Sequence, residues 1–196
     1  MEDRRRVAAV VVAAGTGTRA AGLDGLPKQY RAVAGRTVLA HTLAAFLDHP
    51  GIDRVVTVIH PDHGDLHAGA TADLTGSPKL LPPVVGGATR QASVRAGLEA
   101  LADEAPDLVL VHDAARPFLS AAVLDRTIAA LGSSDAALVG VRLVDTLKRA
   151  DPDDRVIGTV PRDGMWAAQT PQGFRFAALL AAHARAAVEG REAFTA

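Results

Sequence analysis

A glycine-rich loop with two nearby cations is the segment of this sequence best suited to chemistry. The loop Gly15-Thr-Gly-Thr-Arg19 follows an apolar run, and Lys28 comes shortly after it. Glycines let backbone N–H groups approach an oxyanion closely, and loops of this kind form anion-binding nests. Arg19 and Lys28 add full positive charge beside the loop. These residues therefore predict a site that holds a polyphosphate.

Two familiar phosphate-binding patterns do not describe this loop. Gly15, Gly17 and Ala20 have the spacing of the dinucleotide-binding fingerprint, which needs a helix that begins at the third small residue. Gly22 and Pro27 follow instead and disfavour a helix of ordinary length there. The Walker pattern is missing because no Gly-Lys-Ser/Thr triplet follows. An ordinary surface loop without a ligand is the alternative that remains open.

A second glycine pair, Gly86-Gly87, precedes a segment with helical spacing of its apolar residues. Thr89 is placed to cap that helix, and Ser93 lies on its first turn. A helix N-terminus beside paired glycines can receive the base or ribose of a nucleotide through backbone groups. A plain strand-to-helix turn is the alternative.

The acidic residue Asp113 and the basic residue Arg116 follow the buried strand Leu108–Val111. The acid can bind Mg²⁺ or a hydroxyl group, and the arginine can clamp a phosphate. A structural ion pair that fixes the loop before Pro117 is the alternative.

Three histidines, His60, His63 and His67, have a spacing that can place metal ligands on one helical face. Their segment is polar, contains Gly64 and lacks the apolar surroundings that support metal ligands. We therefore interpret it as a surface segment.

The sequence contains no Ser/His/Asp set with a nucleophile elbow. This absence fits a reaction in which a phosphate is the attacking group, because its second pKa of about 6 leaves it mostly ionised at neutral pH. Such a reaction needs positive charge and alignment rather than a general base. Arg19, Lys28, Arg116 and a metal ion would supply both.

Strands that alternate with helices must position these residues. The pattern predicts an α/β fold with a Rossmann-like, doubly wound and mostly parallel sheet. The expected strands are Val7–Ala14, Val55–Ile59, Lys79–Val85 and Leu108–Val111, and helices are expected from Thr37 to about Asp48, from Thr89 to about Asp103, and from Ser120 to Gly132.

The pattern changes after Ala136. A strand at Ala137–Val141 is continued by Val144–Ala150, and Arg155–Val160 returns after an Asp-Pro-Asp-Asp turn. This hairpin is too polar on both faces to be core, and an isolated hairpin is marginal in water. We expect a protruding hairpin arm at about residues 142–163 that packs against a second copy of the chain. Trp166, beside it, is expected to be a packing anchor rather than a stacking platform.

Composition sets further bounds. The chain of 196 residues suffices for a single domain over residues 1–196, and its formal net charge of −1 gives no basic footprint for nucleic acid. It has no cysteine, which fits a reducing compartment, and we expect a cytoplasmic location. The apolar run after Arg4-Arg5-Arg6 is interpreted as a buried strand rather than an export signal. No apolar stretch is long enough to span a bilayer, so no membrane partner is expected.

Several motifs occur together in an order and spacing that cover nearly the whole chain. They are Ala13-Ala-Gly-x-Gly-x-Arg19 with Pro27-Lys-Gln-Tyr30, Gly86-Gly87 with Arg90 and Ser93-Val94, His112-Asp-Ala-Ala-Arg-Pro117, Asp145-Thr-Leu-Lys148, and Gln169-Thr-Pro-Gln172. The set resembles the 2-C-methyl-D-erythritol 4-phosphate cytidylyltransferase family of non-mevalonate isoprenoid biosynthesis.

The resemblance implies a nucleotidyltransferase domain that forms a homodimer and uses CTP with Mg²⁺ or another divalent cation. A polyol phosphate attacks the α-phosphorus of CTP and releases pyrophosphate. The implied catalytic residues are Arg19 and Lys28, and the implied nucleotide-binding residues are Ala13, Ala14, Gly15, Gly17, Gly87, Ser93 and Ala114. The implied substrate-binding residues are Asp113, Arg116, Thr146, Arg162 and Thr170, with Asp113 also the candidate metal ligand and Thr146 and Arg162 reaching the partner's site.

The sequence departs from the family pattern in two places. Members usually continue beyond the position of Ala196 with an acidic segment, a further strand and an Asn-Ile-Lys stretch, which is absent here. Ala88 stands where some members carry an acid. The alternatives are a ribitol-5-phosphate cytidylyltransferase and a non-catalytic nucleotide-binding module. The presence of both Arg19 and Lys28 disfavours the second, because binding alone needs less focused charge.

Overall fold

Strands alternate with helices along most of the chain in the computed structural model, which describes residues 4–15 and 25–191. The strands are β1 (Val7–Ala13), β2 (Ala32–Val33), β3 (Arg36–Thr37), β4 (Arg54–Ile59), β5 (Val84–Val85), β6 (Leu108–Asp113), β7 (Ala136–Arg142), β8 (Leu147–Ala150), β9 (Val156–Val160) and β10 (Trp166–Arg175). The helices are α1 (Val38–Leu47), α2 (Gly64–Thr71), α3 (Arg90–Ala100), α4 (Ala121–Ala130) and α5 (Phe176–Val188), with short 3-10 turns at Lys28–Tyr30 and Pro61–His63.

The central sheet has the strand order β5-β4-β1-β6-β10-β7. β1 pairs in parallel with β4 and β6, β4 pairs in parallel with β5, and β10 runs antiparallel between β6 and β7. The chain therefore moves from β1 outward to β5 and then crosses to β6 on the other side. This reversal creates a switch point at the carboxyl ends of β1 and β6, where open α/β sheets bind ligands. The predicted doubly wound, mostly parallel sheet is confirmed.

The valine-rich β1 is buried on both faces, which explains its unbroken apolar sequence. Because side chains alternate along a strand, Val11 and Ala13 face one core layer while Ala8 and Val10 face the other. Helices α1 and α4 cover the first layer, with buried side chains such as Leu43 and Leu124. Helices α3 and α5 cover the second, with Val94, Leu98 and Phe176.

Two of the predicted helix caps are confirmed. The Thr37 hydroxyl accepts a hydrogen bond from the Ala40 N–H, and the Thr89 hydroxyl accepts one from the Ala92 N–H, each at 3.1 Å. Ser120 precedes α4 but makes no capping hydrogen bond with its side chain. The helix predicted to reach Asp103 ends earlier, at Ala100, and continues as turns.

The strand predicted over Lys79–Val85 is shorter in the structure. Only Val84–Val85 pairs regularly with β4, and Leu80 forms an isolated bridge to Val55. Pro82 and Pro83 interrupt the stretch and remove two backbone donors, so a continuous ladder cannot form.

The hairpin arm of residues 142–163 is built around β8 and β9, which pair with each other in a two-stranded sheet of their own. Its turn is closed by the Asp151 carboxylate, which accepts hydrogen bonds from the N–H groups of Asp153 and Arg155 at 3.0 and 2.9 Å. Both strands begin later than predicted, at Leu147 and Val156. The apolar side chain of Val156 is exposed, so the arm buries little of its own surface.

Trp166, which the sequence predicts to be a packing anchor, is only partly buried within one chain. Its side chain is 52% exposed, and the guanidinium carbon of Arg142 lies 4.6 Å from the ring centroid. A cation over an aromatic face is a favourable contact.

No helix in the part of the chain that the structure describes has the length and apolar character needed to cross a membrane.

Gly97 tests how closely α3 packs on the sheet. A Cβ atom added there would lie 2.5 Å from a methyl group of Val10 and 2.9 Å from one of Val58. Gly97→Ala should therefore lower the free energy of unfolding by about 1–3 kcal/mol, measured by urea denaturation.

Gly69→Ala is the matched control, because Gly69 is also helical and an added Cβ there meets nothing within 4 Å. Its free energy of unfolding should stay the same or rise by roughly 0.5–1 kcal/mol, since alanine favours the helix. Equal losses in the two variants would contradict close packing as the cause.

Candidate active site

A cavity of about 500 Å³ opens at the carboxyl ends of β1, β5 and β6. It lies at the switch point of the sheet, and three loops that are distant in sequence form its walls. Its lining residues are Val12, Ala13, Ala14, Gly15, Lys28, Gln29, Gly87, Ala88, Thr89, Arg90, Ser93, Asp113, Ala114, Ala115 and Arg116. The structure thus brings most of the residues singled out in the sequence into one cavity.

The remaining predicted site residues are not among the described residues that line this cavity. Gly17 and Arg19 fall outside the described residues, so their roles stay predictions. Thr146 and Arg162 belong to the hairpin arm and are not among the described residues that line the cavity. The Arg162 guanidinium donates instead to the Val144 carbonyl oxygen within the arm.

The first wall is the turn after β1, and a buried glutamine holds it. Gln29 is 3% exposed, and its amide nitrogen donates to the carbonyl oxygens of Ala13 and Gly15, each at 2.9 Å. The neighbouring Lys28 is exposed and lines the cavity. Gln29 therefore fixes both the loop and the starting point of the lysine side chain. The sequence alone assigned Gln29 no role, although this residue belongs to the Pro27-Lys-Gln-Tyr30 motif.

The second wall is the start of α3, and Gly86 lets it approach the first. A Cβ atom added to Gly86 would lie 2.6 Å from the Ser93 hydroxyl oxygen and 2.7 Å from the Ala14 Cβ. The buried Ser93 hydroxyl lies 3.0 Å from the Thr89 carbonyl oxygen and 3.3 Å from that of Gly87. The side chain thus supports the glycine loop beside a helix N-terminus, whose dipole favours anions.

The third wall is the turn that follows β6. The Ala114 N–H donates to the Val12 carbonyl oxygen at 3.0 Å, which ties this turn to β1. The Ala114 carbonyl oxygen lies 2.8 Å from the fully buried Thr42 hydroxyl of α1. Thr170, on β10, accepts from the Asp113 N–H at 3.3 Å and so supports the turn rather than lining the cavity.

One carboxylate and two guanidinium groups form an ion cluster across the cavity. The Asp113 carboxylate oxygens lie 3.1 Å from an Arg90 nitrogen and 3.0 Å from the Arg116 Nε. Burial alone would raise the pKa of Asp113, but the two guanidiniums outweigh it and hold the pKa below its ordinary value. Asp113 is therefore ionised, as the ion-pair alternative predicted. Arg90, which the sequence analysis left without a role, completes this cluster.

The cavity carries excess positive charge. Of the described residues that line it, Asp113 is the only acid, while Lys28, Arg90 and Arg116 are cations. Three positive charges against one negative charge leave a formal excess of two. A concave site of this kind concentrates anionic ligands.

The described residues do not form a metal centre of their own. Both oxygens of Asp113 are paired with arginines, and no group of three or more His, Cys, Asp or Glu side chains within residues 4–15 and 25–191 could hold a metal ion. The histidine segment is not wholly the surface segment that the sequence predicts, because His67 is buried and the His63 ring packs edge-on against Tyr30 with centroids 5.4 Å apart. The candidate role of Asp113 as a metal ligand stays a prediction.

Comparison with known sequences identifies close relatives. The model of the family described as "IspD: 2-C-methyl-D-erythritol 4-phosphate cytidylyltransferase" matches residues 7–195. The "Bifunctional enzyme IspD/IspF" of Nitrobacter winogradskyi is 48% identical over 195 residues, which is 100% of this chain and 48% of that protein. Its counterpart from Nitrobacter hamburgensis is 49% identical over 100% of this chain and 47% of that protein. The chain spans about half the length of the curated relatives it matches.

Solved structures share the fold. The crystal structure of 4-diphosphocytidyl-2C-methyl-D-erythritol synthase from Anaerococcus prevotii gives a TM-score of 0.81 at 31% identity, covering 97% of this chain and 79% of that one. The 2-C-methyl-D-erythritol 4-phosphate cytidylyltransferase from Thermus thermophilus gives 0.72 at 37% identity, covering 95% and 79%.

Gln29→Glu tests the first wall. The substitution keeps the side-chain size but places a carboxylate against two carbonyl oxygens, which should lower the free energy of unfolding at neutral pH by about 1–3 kcal/mol or more. The introduced acid should have a raised pKa in the folded state, so the loss should shrink as the pH falls and the protonated acid donates again.

Gln29→Met is the comparison, because it removes the donor without adding charge. Its loss should not depend on pH over the same range in urea denaturation. A Gln29→Glu variant as stable as the unaltered protein at neutral pH would show that the two carbonyl oxygens do not need this donor.

Proposed function

This chain belongs to the 2-C-methyl-D-erythritol 4-phosphate cytidylyltransferase family, and we propose that it transfers the cytidylyl group of CTP to 2-C-methyl-D-erythritol 4-phosphate. The products are CDP-methylerythritol and pyrophosphate, in non-mevalonate isoprenoid biosynthesis. The observation that supports this most directly is the convergence of Lys28, Gly87 and Arg116 on one cationic cavity at the switch point of the sheet. We assign the reaction to the cytoplasm, where CTP is available.

The proposed chemistry is a single in-line displacement at phosphorus. An oxygen of the substrate phosphate forms a new bond to the α-phosphorus of CTP, and the bond from that phosphorus to the α,β-bridging oxygen breaks. Pyrophosphate leaves with the electron pair. The attacking phosphate is mostly ionised at neutral pH because its second pKa is about 6, so no general base is required. The protein must supply alignment and charge.

The turn after β1 is the proposed cradle for the triphosphate. Ala13, Ala14 and Gly15 line the cavity, and Lys28 stands beside them. In the proposal Lys28 stabilises the charge on the pentavalent phosphorus, together with Arg19, and Gly17 belongs to the same loop. A fixed cation in a preformed cavity needs little reorganisation as the charge develops.

The other two walls are proposed to bind the cytidine of CTP and the polyol phosphate. Gly87, Ser93 and Ala114 are proposed to contact the cytidine, which a helix N-terminus and backbone groups can receive. Asp113 and Arg116, with Thr170 behind them, are proposed to bind the polyol phosphate. The Arg116 guanidinium is already oriented by Asp113, so less freedom is lost when it binds a phosphate.

Magnesium, or another divalent cation that prefers oxygen ligands, enters the proposal as a counter-ion of the triphosphate. It neutralises phosphate charge when bound, and such ions are commonly held by substrate phosphates with one or two carboxylates. Asp113 is the candidate protein ligand. Both of its carboxylate oxygens pair with arginines in the described site, which leaves them less available to a cation.

A homodimer through the hairpin arm is also proposed. The arm exposes Val144 and Val156, and the nearby edge strand β7 exposes Leu138, beside the half-exposed Trp166. Apolar side chains gathered at an open sheet edge favour pairing with another chain. In the proposed dimer each arm brings Thr146 and Arg162 to the cavity of the other chain.

Phosphorus NMR tests the activity directly. The protein is mixed with CTP and Mg²⁺, and either 2-C-methyl-D-erythritol 4-phosphate or ribitol 5-phosphate is added. We expect a diphosphate diester and pyrophosphate with the methylerythritol substrate only. A product with ribitol 5-phosphate alone would assign the chain to that reaction instead. Binding of CTP without turnover of either substrate would indicate a non-catalytic module.

Mixed dimers test the shared site. Lys28→Ala and Arg162→Ala should each lower kcat by about 10²-fold or more, because each removes a charged contact to the transition state or substrate. Random exchange of the two variant chains makes about half of the dimers mixed, each with one intact site, so about a quarter of all sites should recover.

In the control, each variant is mixed only with itself, and no activity should return. Size-exclusion chromatography confirms that dimers are present. Dimers that exchange chains and yet show no recovery would contradict a site built from two chains.

A further inference from the structure

His112 is a buried residue that the proposed reaction does not use. It lies at the end of β6, directly before Asp113, and is 1% exposed. Its ring packs edge-on against Phe46 of α1, with centroids 5.2 Å apart. A polar ring in this position needs partners for both of its nitrogens.

Both ring nitrogens of His112 have partners, from two separate segments. Nε2 lies 3.0 Å from the Arg116 carbonyl oxygen, and Nδ1 lies 2.9 Å from the Thr170 hydroxyl oxygen. That hydroxyl oxygen also lies 3.3 Å from the Asp113 backbone nitrogen. The ring therefore links the turn after β6 to the strand β10, beside the direct bond from Asp113 to Thr170.

The chemistry of these groups fixes the direction of every hydrogen bond. A carbonyl oxygen only accepts, so Nε2 carries the ring proton and donates to Arg116. The Thr170 oxygen accepts from the Asp113 N–H, and its own proton is free to donate to Nδ1. The result is one defined tautomer, Nε2–H, in a continuous chain of three hydrogen bonds.

These three hydrogen bonds surround the turn that carries the proposed substrate-binding side chains. The Arg116 N–H donates to the Asp113 carbonyl oxygen at 3.1 Å across the turn, and the Arg116 side chain contacts both Asp113 and Gln169. Thr170 contacts His112 from within an irregularity in β10 between Ala168 and Gln172. The direction in which Arg116 leaves the backbone thus depends on a carbonyl group held by His112.

We propose that His112 is a positioning residue, which sets the Asp113–Arg116 turn and with it the Arg116 guanidinium that binds the polyol phosphate. The inference rests on the proposed function, because that function gives Arg116 its ligand. His112 is not among the described residues that line the cavity, so its effect on the polyol phosphate would pass through Arg116. It acts through a donor at Nε2 and an acceptor at Nδ1, which few other side chains offer in this geometry.

Steady-state kinetics of variants at His112 and at Thr170, two members of this series of hydrogen bonds, test the proposal. His112→Gln and Thr170→Val should each raise the KM for the polyol phosphate about tenfold, as expected when a hydrogen bond that orients a charged group is lost. The KM for CTP should change less than about twofold, because the other two walls are untouched. Thr170→Ser keeps the hydroxyl and should restore the original KM.

A double variant separates positioning from general structural damage. His112→Gln added to Arg116→Ala should raise the KM no further than Arg116→Ala alone, because His112 acts through Arg116. The proposal would be overturned if the two substitutions multiplied each other's effect on the KM for the polyol phosphate, or if the KM for CTP rose in parallel. Thermal unfolding of each variant confirms that the chain is folded, and the pair Thr170→Val and Thr170→Ser provides the test if the His112 variants do not fold.

A measurement without turnover distinguishes failure of this inference from failure of the proposed function. Nitrogen NMR of the unaltered protein, labelled at histidine, should show His112 as the Nε2–H tautomer, and Thr170→Val should shift its Nδ1 resonance. The Nδ1–H tautomer would refute the hydrogen-bond chain whatever the enzyme turns over. The expected tautomer in a protein inactive towards both polyol phosphates would refute the proposed function instead.

Discussion

The ion cluster of Arg90, Asp113 and Arg116 is the interaction on which the candidate site depends. It joins the start of α3 to the turn after β6, and these elements form two of the three cavity walls. A cavity suited to phosphates must gather cations, which repel one another at close range. One ionised carboxylate between two guanidiniums lets them stand close together while leaving the cavity positive overall. Asp113 thus organises the charge of the cavity.

Buried polar side chains hold the walls that surround this cluster. Gln29 fixes the turn after β1, Thr42 lies against the Ala114 carbonyl, and His112 holds that of Arg116. Each bond satisfies a backbone oxygen, and an oxygen that is buried without a donor costs about 1–3 kcal/mol. The loops are therefore preorganised before any ligand arrives, which is the condition under which fixed charges stabilise a developing anion best. Burial lowers the pKa of His112, so its ring stays neutral and adds no charge to the cavity.

The sequence predicts those parts of the fold that local patterns determine. The buried β1 follows from an unbroken apolar run of valine and alanine, and the caps at Thr37 and Thr89 follow from residue types next to helical spacing. The supporting contacts were not predictable in this way, because their partners are remote. Gln29 and Ala13 are 16 residues apart, Arg90 and Asp113 are 23 apart, and Thr42 and Ala114 are 72 apart. The motifs identified which loops meet, but only packing decides which side chain supports which carbonyl.

The hairpin arm is the element on which the proposed dimer depends. A two-stranded sheet with exposed apolar side chains on it, such as Val156 and Ile157, gains little free energy from its own contacts. Thr146 and Arg162 nevertheless lie on this element, outside the cavity of their own chain. In the proposed dimer the partner's surface stabilises the arm, and the arm in turn completes the partner's cavity. Folding of the arm, association of the chains and binding of the polyol phosphate are then linked equilibria, so each one stabilises the other two.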